Sequence, residues 1–165
     1  MPSAKCQVLV YNVLMKIALG ADHAGFELKE KIKQHLLNHG MLVNDLGTHS
    51  TESVDYPDYA RAVGEEVAGR RADWGILVCG AGIGMCIAAN KVMGIRAANI
   101  HSEIEAQLSR EHNNANVLAL GARLLDHDLA LRIVDRWLST AFAGGRHAGR
   151  IEKISAIELR EVPST

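Results

Sequence analysis

The stretch WGILVCGAGIGMCIAAN, residues 74–90, decides the fold. It carries no charge and opens with an apolar run of strand length, Trp74 to Cys79, free of polar interruptions as a strand covered on both faces should be. Its length approaches the roughly 20 residues that a membrane-spanning helix needs, but Gly75, Gly80, Gly82 and Gly84 break it. The reading is therefore a buried parallel strand, a glycine turn, and a buried helix from about Gly84 to Val92.

Outward from this unit the same alternation repeats. Ile17 to Gly20 is a short apolar run, and Phe26, Leu28, Ile32 and Leu36 then recur at helical spacing, with Glu27 four residues before Lys31 on another face. Gly40 suits the end of that helix. A strand follows from Met41 to Asp45, then a turn-rich loop from Gly47 to Pro57, then a helix carrying Tyr59, Val63 and Val67. Beyond the glycine turn come a strand at Arg96 to Ile100, a helix at Glu103 to Glu111, a fifth strand at Asn116 to Leu120, and a helix with Leu129, Ile133 and Trp137. Five successive βα units predict an α/β fold, a three-layer α/β/α sandwich around a five-stranded parallel Rossmann-like sheet. An extra C-terminal helix carries Ile151, Ile154 and Ile157, an apolar stripe that fits either another subunit or its own sheet. One domain is expected over residues 15–162, with residues 1–14 as an N-terminal extension of no assigned role.

Composition narrows the class. The chain has 165 residues, 48% hydrophobic and 22% charged, enough to bury a full core. Lys and Arg number 18 against 19 Asp and Glu, so the basic excess of a nucleic-acid binder is missing. Cys6 to Met15 is uncharged but short, holds Asn12 and lacks a cleavage site, so neither export nor a membrane span is expected. Cys6, Cys79 and Cys86 fit no zinc site or secreted framework, which points to a reducing cytoplasm.

In parallel sheets the ligand site lies outside the carboxyl ends of the strands. That rule selects Gly20-Ala21-Asp22-His23, the loop Cys79-Gly80-Ala81-Gly82-Ile83-Gly84, His101, and Gly121-Ala122-Arg123. The glycine loop is no dinucleotide fingerprint, because Met85 stands where the third Gly belongs, and no P-loop, because Gly-Met-Cys replaces Gly-Lys-Ser/Thr. Met85 also occupies the Arg position of a cysteine phosphatase. What remains is a run of backbone N–H groups at a helix start, a cradle for an anion or a developing oxyanion. Cys79 sits at its mouth, where donors favour a thiolate nucleophile or base; a small buried hydrophobe is the commoner fate of the residue type. Cys86 reads as structural. Arg146 and Arg150, four apart around His147, could fork a phosphate or simply begin a solvated helix. Asp22-His23 could be a helix cap, and His112-Asn113-Asn114 a helix end. His35, His39, His49 and His127 read as surface residues. The functional reading expects these signals to converge on one strand-end face.

The combination closely resembles the type B ribose-5-phosphate isomerases, in the family that also holds galactose-6-phosphate isomerase subunits. The resemblance runs from about Met15 to Glu158. It rests on Gly20 to Phe26, Asp55-Tyr56-Pro57, Cys79 to Gly84, Ala88 to Lys91, Arg110 to Asn114 and Gly144 to His147, in order and at matching spacing. It implies a cofactor-free, metal-free aldose–ketose isomerisation of a phosphorylated sugar through an enediol intermediate. Cys79 would be the base, the amides of Gly80, Ala81, Gly82, Ile83 and Gly84 would hold the enediolate oxygen, and His112 would assist ring opening beside Asn113. Asp22 would bind sugar hydroxyls, Tyr56 would line the pocket, and His23, Arg123, Arg146 and Arg150 would take the phosphate. Family members are homodimers or dimers of dimers with shared sites. This sequence departs from the pattern at Ala81, where Ser or Thr is usual. Met85 stands where a second branch of the family carries its Glu. Ribose 5-phosphate and ribulose 5-phosphate are the expected pair. The alternatives are a six- or four-carbon sugar phosphate, or a non-catalytic sugar-phosphate-binding module. A nucleotide-binding domain is the weakest option.

Overall fold

The computed structural model describes residues 15–160. The extension 1–14 with Cys6, and residues 161 and 162 of the expected domain, lie outside them. Five strands alternate with helices along the chain. They are β1 (Lys16–Ala21), α1 (Phe26–Asn38), β2 (Leu42–Asp45), α2 (Tyr56–Ala68), β3 (Trp74–Cys79) and α3 (Ile83–Ala89), then β4 (Ala97–Asn99), α4 (Glu103–Glu111), β5 (Val117–Gly121), α5 (His127–Ser139) and α6 (Arg146–Arg160). All pairings are parallel, in the spatial order β2-β1-β3-β5-β4. This is the expected sandwich, with β3 at its centre.

The pleat sends alternate residues of each strand to opposite faces. On one face Ile76 and Val78 join Ile17, Leu19, Leu118 and Leu120 under α1 and α5, where Leu28, Ile32, Leu36, Ile133 and Trp137 are buried. On the other, Leu77 and Cys79 join Ala18, Val117 and Ala119 under α2 and α3, with Val63, Val67, Met85 and Ala89. Each fully buried aliphatic side chain contributes about 1.5–3 kcal/mol, so both layers are held by ordinary apolar burial.

Most boundaries shift by a residue from the sequence reading, and three of the differences matter for the site. Helix α2 begins at Tyr56, ahead of Pro57, because a proline in the first turn lacks only an N–H that has no intrahelical acceptor anyway. Helix α3 stops at Ala89 rather than Val92, since the Asn90 side chain turns to grip both backbone groups of Ala97, donating to its carbonyl at 3.0 Å and accepting from its N–H at 2.8 Å. Strand β4 ends at Asn99 rather than Ile100. Helix α6 touches the body at few points, and Ile154 and Ile157 of its stripe are exposed in the single chain. No helix among the described residues is long and apolar enough to cross a membrane.

Candidate active site

The carboxyl ends of β1, β3 and β5 lie side by side, and the chain leaving each is folded back onto its neighbour. After β1, the N–H of Asp22 donates to the Val78 carbonyl at 3.2 Å, and the buried Asp22 carboxylate accepts from the Gly25 N–H at 3.0 Å. A β-carbon at Gly25 would press into the Val78 peptide, 2.6 Å from its carbonyl carbon, so only glycine lets this turn close beside Cys79. His23 Nδ1 accepts the Val54 N–H at 3.2 Å, which puts the ring proton on Nε2.

Cys79 is 5% exposed, and its Sγ accepts the Gly82 N–H at 3.1 Å. That bond needs Gly82 in the left-handed region, at φ +76°. The next amides, of Ile83 and Gly84, open α3 and have no acceptor within the helix. Tyr56, exposed at the start of α2, lays its ring on Gly84: a β-carbon there would lie 2.6 Å from the ring Cζ and 3.1 Å from the hydroxyl. After β5, the Arg123 N–H donates to the Gly80 carbonyl at 3.0 Å, and its guanidinium covers Gly80. Asp22, His23, Tyr56, Cys79, Gly80, Ala81, Gly82, Ile83, Gly84 and Arg123 thus share one edge.

A buried cation braces that edge. Lys29 is fully buried, donating to both Asp45 carboxylate oxygens at 2.8 and 3.0 Å and to the Thr48 carbonyl at 2.6 Å. Thr48 in turn bonds its N–H to the Ala21 carbonyl at 2.7 Å. Burial would raise the Asp45 pKa, but hydrogen bonds from Lys29 and Lys33 overcome this and hold the carboxyl below its usual range.

The expectation of one convergent face fails for His112, Asn113, Arg146 and Arg150. A helix returning between parallel strands runs antiparallel to them, so the end of α4 lies at the amino edge of the sheet. His112 caps α4 there, and Arg96, just ahead of β4, donates to the carbonyls of Asn113 and Asn114 at 3.2 and 3.0 Å. The start of α6 joins it, with the His147 ring stacked on His112 at 4.3 Å and 13° between planes. Burial, then His112 and the nearby Arg146 and Arg150, lowers the His147 pKa below the usual imidazole value. Behind this turn the buried Arg110 lies 3.9 Å from the Trp74 ring centre and 5.4 Å from that of Trp137. It donates to the Asn114 side chain at 3.0 Å and to the carbonyls of Ala115 and Thr140. Burial, helped by Arg96, pulls its pKa down to about 10, so it stays charged at neutral pH.

The family model described as Ribose/Galactose Isomerase matches residues 17–154. The chain belongs to this family. Its relatives include ribose-5-phosphate isomerase B of Escherichia coli (strain K12), 52% identical over 147 residues, covering 89% of this chain and 99% of that one. Among solved structures, ribose-5-phosphate isomerase B of Clostridium thermocellum superposes with a TM-score of 0.89 at 53% identity, covering 90% of this chain and 100% of that one. The Mycoplasma genitalium ribose-5-phosphate isomerase B, solved with bound ribulose-5-phosphate, gives 0.85 at 43% identity, covering 90% and 98%.

In this ribose/galactose isomerase family member two strand-end assignments change. His101 serves the helix start instead of the loop: its N–H donates to Glu105 at 2.7 Å while Ser102 caps α4 through the Glu105 N–H at 3.2 Å. Asn99 takes the strand-end place, its amide nitrogen 3.4 Å from the Ala81 carbonyl. With β4 ending one residue earlier than expected, Asn99 is its last residue, as Cys79 is of β3, and the strand-end rule would have included it. Cys86 is structural, as expected, its thiol donating to the Ala97 carbonyl at 3.4 Å and raised in pKa by burial.

Proposed function

We propose that this chain interconverts ribose 5-phosphate and ribulose 5-phosphate through an enediolate, with Cys79 as the proton carrier and no cofactor. The observation that carries the reading is the Cys79 sulfur at a strand end, taking the Gly82 N–H at 3.1 Å beside the free amides of the α3 start. Family membership and the relatives named above support the substrate class.

In the open-chain aldose, the Cys79 thiolate takes the proton from C2. The electron pair moves to form the C1–C2 double bond, and negative charge gathers on O1. Amides of the 80–84 loop would hold that oxygen, each such donor being worth about 10²–10³ in rate. The thiol then returns the proton to C1 while the proton of the C2 hydroxyl passes to O1, leaving the ketose with its C1 hydroxyl and C2 carbonyl. Asp22 and Tyr56 would bind the sugar, and His23 and Arg123 the near side of the phosphate. No redox carrier enters this sequence, since one carbon is oxidised as its neighbour is reduced.

The remaining groups come from a second copy. His112, for ring opening, with Asn113, and Arg146 and Arg150, for the phosphate, stand at the wrong edge for their own Cys79. The exposed Ile154 and Ile157 of α6 and Ile83 and Ile87 of α3 supply apolar surface for such an interface. We read the active unit as a homodimer, alone or paired into a dimer of dimers, working in a reducing cytoplasm where Cys79 and the free Cys86 persist as thiols.

Incubation with ribose 5-phosphate in deuterium oxide tests the reaction. Label is expected at the carbon that receives the proton, and Cys79→Ala is expected to lower turnover about 10²–10⁴-fold. Binding without label would sink the enzymatic reading in favour of a binding module. Label in other phosphorylated aldoses alone would move the substrate.

A further inference from the structure

Asn99 has no part in the mechanism above, yet its side chain is the polar group that backs the glycine loop from β4. Its Nδ2 donates to the Ala81 carbonyl at 3.4 Å. That carbonyl and the Gly82 N–H belong to one peptide unit, and the N–H donates to Cys79 Sγ at 3.1 Å. The amide, the peptide and the sulfur therefore form a single chain of hydrogen bonds. Ala81 brings no hydroxyl of its own to this loop.

The other end of the Asn99 amide is unsatisfied. Its Oδ1 is buried against the Cα of Gly82 and has no hydrogen-bond partner among the described residues. A buried acceptor left unpaired destabilises the fold, so an aliphatic residue would serve the sheet at least as well. Turning the amide over would bring Oδ1 against the Ala81 carbonyl, two acceptors face to face, so the donor is held toward the loop.

From this chain of bonds we infer that Asn99 is a positioning residue for Cys79, orienting and polarising the Ala81–Gly82 peptide so that its N–H stays aimed at the sulfur. A donor on the carbonyl strengthens the same peptide's N–H as a donor, and an N–H on sulfur favours its anionic form. The contact is long for a hydrogen bond, so the effect is modest in size. The inference rests on reading Cys79 as the base, but it concerns only the sulfur and can be tested apart from turnover.

The test is a pH titration of thiolate ultraviolet absorbance, taken as the difference from the same chain carrying Cys79→Ser. Asn99→Val and Asn99→Ala both remove the donor, and two sizes of side chain guard against one packing badly. Each is expected to raise the Cys79 midpoint by about half a pH unit, an about threefold fall in the ratio of thiolate to thiol at a given pH. The melting temperature of Asn99→Val should hold or rise, whereas a purely structural asparagine would lower it and leave the titration in place. The kcat against pH profile should move by the same interval. An unmoved midpoint in both variants overturns the inference. Turnover surviving in Cys79→Ala would instead overturn the base assignment while leaving the titration result standing.

Discussion

The two edges of the sheet are built differently. At the carboxyl edge, Cys79 and its loop are fixed by backbone: strand ends, the left-handed Gly82, and turns pressed together wherever a side chain would not fit. At the amino edge, His112, His147, Arg146 and Arg150 stand on helix ends, with one stacked ring pair and a buried Arg110 behind them. The first arrangement suits an atom that must be held within a fraction of an ångström of a reacting carbon. The second suits groups that reach across to another molecule. Under the proposed function, one chain carries two half-sites facing opposite ways, each to be completed by the complementary half of a second copy.

Mixing experiments would break this comparison with the largest effect. Cys79→Ala and His112→Ala chains should each be nearly inactive alone. Unfolded and refolded together, they should recover about a quarter of wild-type activity, because half of randomly paired dimers carry one intact site of two. Persistent inactivity of the mixture would place His112 and Cys79 in one chain's site. Next in size, Arg146→Ala should raise KM for the sugar phosphate about 10- to 100-fold, with a smaller loss in kcat, as removal of a charge-assisted phosphate contact predicts. An unchanged KM would remove α6 from the phosphate site.

The smallest effect sharpens the carboxyl-edge half. Asp45→Asn leaves the fully buried Lys29 without its principal counter-ion, at an expected cost of about 3 kcal/mol in urea unfolding. The sign with pH follows from the lowered Asp45 pKa. The folded state prefers the ionised carboxylate, so the stabilisation is complete above the ordinary value of 3.8 and is lost as pH falls through the lower folded value. Wild type should therefore lose stability on acidification through this window more steeply than Asp45→Asn; parallel pH profiles would show that the pair contributes nothing.

Much of this was legible in residues 74–90. A charge-free strand running into alternating glycines can be little else, and the strand-end rule then led to Asp22, His23, Cys79 and Arg123. Asn99 was hidden by one misplaced boundary, because the short β4 gives periodicity almost nothing to register. Lys29 was hidden by its type: a lysine four residues from another on a helix reads as solvated, and only its approach to Asp45 and Thr48 buries it. The false convergence of His112 and Arg146 had another cause. Nearness to a strand in sequence does not say which end of the sheet a loop occupies.

The order of apolar runs and breaks was sufficient by itself for the parallel sandwich, the glycine loop and the thiol at its mouth, because burial and backbone freedom are properties of short stretches. Which edge each group faces, which amide reaches the sulfur, and the separation of His112 and α6 from the Cys79 loop were decided only by the assembled tertiary structure. Those depend on helix direction and long-range packing, which no local pattern encodes.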